Sequence, residues 1–197
     1  MMLPVVIDLA GRPVTVVGAG VVASRKVAQL LGVGAVVTVI AEELRAALPE
    51  GVRTIRLERY ASGDLAGAFL VVAATGDHVV DDAIVLEAAA RGQLLNVVDD
   101  PTRSNFFFTA LHRDGDVVVS VSTSGASPAL ASWLRNRIAA NLPEGLGALA
   151  RRLGEERRRL HAVGASTEGF AWRTWIEDQL GRPAVESDSS WALDPRD

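Results

Sequence analysis

A chain of 197 residues that is 49% hydrophobic and 22% charged can build one full domain with a small appendage, which excludes disorder as its main state. It has no cysteine, which excludes disulfides, cysteine nucleophiles and cysteine-ligated metal centres. A net charge of −4 with a pI near 5.4 lacks the basic excess that broad nucleic-acid binding needs.

Residues 1–13 show neither a basic n-region nor a small-residue cleavage site, so no secretory signal is expected there. The apolar stretches 30–41 and 65–74 are too short or too glycine-rich to cross a bilayer, so no membrane partner is expected and the expected compartment is the cytoplasm. Pro13–Val17 is a β-branched run ending at Gly18, and residues 21–32 follow with apolar side chains at helical spacing, closed by Gly32 and Gly34. A second apolar strand is expected over Ala35–Ile40, which makes a βαβ unit with parallel strands. Further strands are expected at Val52–Leu57, Ala68–Ala74, Gln93–Val98 and Val117–Val121, and helices at Val79–Arg91 and Pro128–Asn141. Apolar strands alternating with helices imply a doubly wound, mostly parallel α/β sheet. After Pro143, Gly145–His161 and Thr167–Leu180 read as two helices of an appendage, and 182–197 as a loose tail carrying Trp191.

Gly18-Ala19-Gly20-Val21-Val22-Ala23 matches G-x-G-x-x-G/A between a strand and a helix. Gly18 suits the tight turn, Gly20 a close backbone approach to a pyrophosphate, and Ala23 close helix–strand packing. A plain tight turn is the other reading. Glu42 and Glu43 follow the second strand, where a carboxylate holds ribose hydroxyls and repels a 2′-phosphate, favouring NAD. They also suit the first turn of a next helix.

Ligands of such sheets bind beyond the carboxyl ends of the strands. Those ends carry Thr75 and Asp77, then Asn96, Asp99 and Asp100, and then a hydroxyl-rich segment, Ser122-Thr123-Ser124-Gly125-Ala126-Ser127-Pro128, expected on the same side. Asp99, after an apolar run, is the candidate for acid–base work; a turn residue before Pro101 is the other reading, which suits Asp100 better. Ser127 and Pro128 suit helix capping, while the hydroxyls before Gly125 suit a carboxylate-bearing ligand. His78, His112 and His161 have no metal-ligand spacing.

Taken in order, these motifs resemble the NAD-dependent precorrin-2 dehydrogenases, including the N-terminal part of sirohaem synthases. The likeness runs from Leu3-Pro4 and Asp8-Leu9 through Val17–Lys26, Ala73-Ala74-Thr75, Asn96–Pro101 and Phe106 to Ser122–Ala131, with Arg135 beyond. It implies a Rossmann-like domain over 1–112, a strand, substrate loop and linking helix over 113–142, a helical appendage over 143–181 through which the family forms homodimers, and the tail over 182–197. It implies oxidation of precorrin-2 to sirohydrochlorin in sirohaem or cobalamin synthesis, with NAD as cofactor. Some members also insert Fe²⁺ into the product. Carried over by position, Asp99 is the catalytic acid, Val21, Val22, Glu42 and Glu43 are cofactor positions with Thr75 nearby, and Thr123 lies at the tetrapyrrole; the glycine turn adds Gly18 and Gly20 to the cofactor set, and the hydroxyl segment adds Ser124, Gly125 and Ser127 to the substrate set. Ser124 stands where the family has the first glycine of a pair, and Thr109 where it has proline.

A nucleotide-sensing module would need the glycine turn but neither Asp99 nor the hydroxyl segment. Another small reductase would need a Tyr–Lys or His–Asp pair. Tyr60 is the only tyrosine and Lys26 the only lysine, and Lys26 lies in the helix after the glycine turn.

Overall fold

The computed structural model describes residues 2–168 and 170–181, so the tail and Trp191 lie outside the described residues. Five strands make one parallel sheet: β1 (Pro13–Val17), β2 (Val36–Ala41), β3 (Thr54–Leu57), β4 (Leu70–Ala73) and β5 (Leu94–Val97), in the order β3-β2-β1-β4-β5. α1 (Val21–Leu31) joins β1 to β2, and α2 (His78–Ala90) joins β4 to β5. This is the α/β, Rossmann-like sheet the sequence implies.

The strands alternate between two apolar layers. Val14 and Val16 of β1, with Leu70 and Val72 of β4, pack with Ala23, Val27 and Leu30 of α1. Val17, Val71 and Ala73 point the other way, toward Ile84 and Ala88 of α2. Both faces are covered, so β4 reads as a continuous apolar run and β1 as one broken only by Thr15.

Two sequence expectations change. Glu42 and Glu43 begin no helix, because residues 42–53 form bends and turns and α1 and α2 are the only helical crossovers of this sheet. The amides of Arg45 and Ala46 instead bond the Ala19 carbonyl (both 3.0 Å), folding this segment back on the glycine turn. Val117–Val121 is not a sixth strand of the sheet. It is β7, paired antiparallel with β6 (Ala110–Asp114), which the sequence reading left without an element. The two-residue Gly115-Asp116 link can join only antiparallel neighbours. The free edge of β5 is also occupied. Asn105 donates its amide to Leu95 O (2.9 Å) and receives the Leu95 amide on Oδ1 (2.7 Å).

The chain divides into two compact units. The first runs to Phe108 and takes in Ser124–Ala126; the second holds Thr109–Thr123 and the described residues from Ser127 to Gly181. In the second unit the β6–β7 ribbon packs against α3 (Pro128–Ala139), and β7 also meets α4 (Leu146–Ala162). α5 (Trp172–Gln179) starts later than expected, after turns at 167–168. None of the described helices is long and apolar enough to cross a membrane.

Candidate active site

The strand order reverses between β1 and β4, where a crevice opens in this class of sheet. The crevice is built by backbone. Gly18 donates to Ile40 O and Ala74 to Val17 O, each at 2.8 Å. Gly18 has φ +107°, and a Cβ there would stand 2.1 Å from the Ala74 carbonyl oxygen, so glycine is obligatory. At Gly20 a Cβ would meet nothing within 4 Å, which leaves open space at the start of α1. No side chain caps α1, and its first turn carries no acid. A helix start so arranged suits the phosphates of a dinucleotide.

Two cavities share Gly20, Ala74, Thr75 and Gly76. The larger, about 600 Å³, extends past Ala41 to Glu42, Glu43, Arg45, Arg59 and Tyr60. Glu42 accepts a bond from Arg59 Nε at 2.9 Å, and Glu43 pairs with Arg45. The smaller, about 410 Å³, runs from Val21, Val22 and Ala23 across to Val98, Asp99 and Arg103. The glycine turn and the Asp99 carboxylate therefore line one cavity, as the sequence suggested.

Adjacent aspartates in this turn differ sharply. Asp100 caps a short 3₁₀ turn over Pro101–Arg103. It accepts from the Thr102 hydroxyl and Arg103 Nε, both at 2.6 Å, and these bonds pull its pKa down to about 2. Arg103 goes on to Asp82 at 2.7 Å and to His78 Nδ1 at 3.1 Å. Asp100 is thus the turn former the sequence favoured. Asp99 is exposed, has φ +60°, and makes no hydrogen bond through its carboxylate among the described residues. Such a carboxylate is available to a ligand.

Other candidates are engaged locally. The Thr75 hydroxyl accepts the Asp77 amide (3.0 Å) and donates to buried Asp81 (2.6 Å), which fixes the turn into α2, and Thr75 lines both cavities. Thr123 Oγ1 accepts the Ser127 amide and donates to the Ser127 carbonyl, both at 3.0 Å. Ser127 caps α3 through a bond from the Leu130 amide, with Pro128 at the first position, as expected. Ser124 has φ +54° and Gly125 φ +82°. A Cβ on Gly125 would lie 3.2 Å from Pro101 Cβ and 3.5 Å from the Phe107 ring, so Ser124–Ala126 lies against the aspartate turn. Ser120 of β7 donates to Thr109 Oγ1 at 2.8 Å.

Sequence reasoning passed over Lys26. Its ammonium stands 3.8 Å over the centre of the Phe108 ring, and burial pushes its pKa down while the Asp99 charge opposes that shift. In sequence it is marked only as the chain's sole lysine and as the last residue of the Val17–Lys26 stretch, neither of which shows what its side chain meets. Among the described residues, no group of three His, Cys, Asp or Glu side chains is arranged to hold a metal ion.

A family profile described as NAD(P)-binding matches residues 5–110. The chain belongs to this NAD(P)-binding family. A second profile, for the central part of a sirohaem biosynthesis protein, matches residues 114–141 of this family member. The siroheme synthase of Methylococcus capsulatus is 39% identical over 188 residues, covering 93% of this chain and 39% of that one. Siroheme synthase 3 of Aeromonas hydrophila is 38% identical over 199 residues, covering 96% of this chain and 42% of that one. The chain thus spans about two fifths of the length of these relatives. A solved structure described as SirC, precorrin-2 dehydrogenase, has a TM-score of 0.68 and 27% identity, covering 85% of this chain and 84% of that one. These are the relatives to which the sequence motifs pointed.

Proposed function

We propose that this chain is a precorrin-2 dehydrogenase that forms sirohydrochlorin with NAD⁺ as acceptor, in sirohaem or cobalamin synthesis. The observation that carries the reading is the single cavity lined by both the glycine turn and the Asp99 carboxylate. Gly18, Gly20 and the amides of Val21 and Val22 would hold the pyrophosphate at the start of α1, with Thr75 nearby. Glu42 and Glu43 face the ribose end of the larger cavity. Their carboxylates favour NAD over NADP, because they would repel a 2′-phosphate and each partly neutralises a neighbouring arginine, Arg59 and Arg45.

Bound nicotinamide supplies the hydride acceptor. The oxidation removes one hydride and one proton from the tetrapyrrole, and Asp99 takes the proton. Its exposed, unbonded carboxylate suits that role. Ser124, Gly125, Thr123 and Ser127 form the substrate loop. The Thr123 bonds to Ser127 hold that loop in shape. A homodimer joined through the helical part, and a cytoplasmic setting, complete the reading. Fe²⁺ is the second substrate where chelation also occurs.

The test is anaerobic incubation with precorrin-2 and NAD⁺, followed by absorbance, and then by addition of Fe²⁺. NADH and sirohydrochlorin appearing together is the expected result. Acceleration of metal insertion over the uncatalysed rate would add chelation. Tight NAD⁺ binding without NADH would make the chain a nucleotide sensor.

A further inference from the structure

Lys26 lies one helical turn beyond Val22, which lines the Asp99 cavity. Its side chain is half-buried, and its ammonium sits 3.8 Å above Phe108, whose ring meets that of Phe106 in a tilted contact at 5.3 Å. Among the described residues no carboxylate lies within ion-pair distance of it and no acceptor takes its protons. Three donors on a partly desolvated cation therefore have only a ring face and the field of Asp99 to offset the loss of water. A structural lysine would bury its stem and keep its head in water. This head instead lies over an aromatic ring and within the electrostatic reach of Asp99.

We propose that Lys26 is a substrate-binding residue that takes a carboxylate of the tetrapyrrole beside Asp99. The inference rests on the functional reading above, since that substrate carries eight carboxylates. Lys26 would supply an acceptor-seeking point charge where the ligand is polyanionic, and would offset repulsion between those carboxylates and Asp99. The groups facing it from other elements are Asp99, on the turn after β5, and the uncharged Phe108 ring. Because burial lowers the pKa of Lys26, binding that depends on its charge will fade with rising pH earlier than it would for an exposed lysine. An arginine at the same place would keep its charge.

The experiment is a titration of the full chain with sirohydrochlorin, followed by fluorescence quenching, for wild type, Lys26→Met and Lys26→Arg, with parallel titrations of NAD⁺. Lys26→Met should weaken tetrapyrrole binding about tenfold or more and leave NAD⁺ affinity unchanged. Lys26→Arg should bind within about threefold of wild type and hold its affinity to higher pH. Equal tetrapyrrole binding by Lys26→Met and wild type would overturn the inference and leave the dehydrogenase reading standing. A parallel loss of NAD⁺ binding would also overturn it, by assigning Lys26 to the cofactor or the fold. Wild type that binds NAD⁺ but no tetrapyrrole would instead remove the reading on which the inference rests.

Discussion

Asp99 shows how one backbone angle separates two neighbouring carboxylates. At φ +60° its side chain leaves the hydrogen-bonded turn that Asp100 closes, and the acid faces the cavity. Left-handed backbone costs most residues about 1–2 kcal/mol but is tolerated by Asp and Asn. The informative variant is therefore Asp99→Asn, which keeps the backbone preference and removes the base. It should melt with the wild type and bind NAD⁺ equally well, while NADH formation falls about 10²–10⁴-fold. Calorimetry, cofactor titration and the anaerobic assay together check this. Unchanged turnover would remove Asp99 from proton transfer. Asp99→Ala would confuse the matter, because it adds backbone strain to the chemical loss.

Helix α4 carries two glycines that look alike in sequence and differ in place. A Cβ on Gly147 would stand 2.5 Å from the Asp114 carbonyl oxygen and 2.9 Å from Gly115 Cα, so bare backbone lets α4 lie against the β6–β7 turn. On Gly154 a Cβ would meet only the end of Arg158, at 3.6 Å. Alanine gains about 1 kcal/mol of helix propensity at either site. At Gly147 overpacking of about 1–3 kcal/mol outweighs that gain. Gly147→Ala should lower Tm and Gly154→Ala should raise it by a few degrees, as read by thermal denaturation. Neither difference is legible without the ribbon, and the ribbon was the part that sequence reading missed. β6, Ala-Leu-His-Arg-Asp, has too few apolar residues to read as a strand, and the valines of β7 suggest a buried central strand although alternate positions are exposed. The parallel sheet was legible because β1, β2 and β4 are apolar on both faces and Gly18 marks the turn. The two cavities followed from that sheet. Lys26 did not, because its meeting with Phe108 joins α1 to a segment some eighty residues further along the chain.

For the whole chain, the carboxylates that hold the first unit together set its response to acid. Glu87 of α2 has a side chain only 8% exposed and gathers the crossover before β4. It accepts the Tyr60 hydroxyl at 2.6 Å, the Gly63 and Leu65 amides at 2.9 and 3.2 Å, and Arg91 Nε at 2.9 Å. Burial alone would raise its pKa, but these donors outweigh burial and hold it below the ordinary 4.5. Asp100 is likewise held down, to about 2 from 3.8, by Thr102 and Arg103. A folded pKa below the unfolded one means that the stabilisation is full above the unfolded value and lost as pH falls toward the folded one. Stability should therefore hold at neutral pH and decline from about pH 4.5 downward. Glu87→Gln removes the charge that draws these donors in and should cost about 2 kcal/mol at pH 7. Its distinguishing mark is the pH dependence. The Tm gap between wild type and variant should narrow as pH drops below 4.5, because wild-type Glu87 is then itself becoming neutral. Dilute samples are needed, since the chain passes through zero net charge near its pI of 5.4 and is least soluble there. A gap that stays constant from pH 7 to pH 3 would mean that Glu87 acts through shape and hydrogen-bond count alone, and that the acid limb belongs to Asp100.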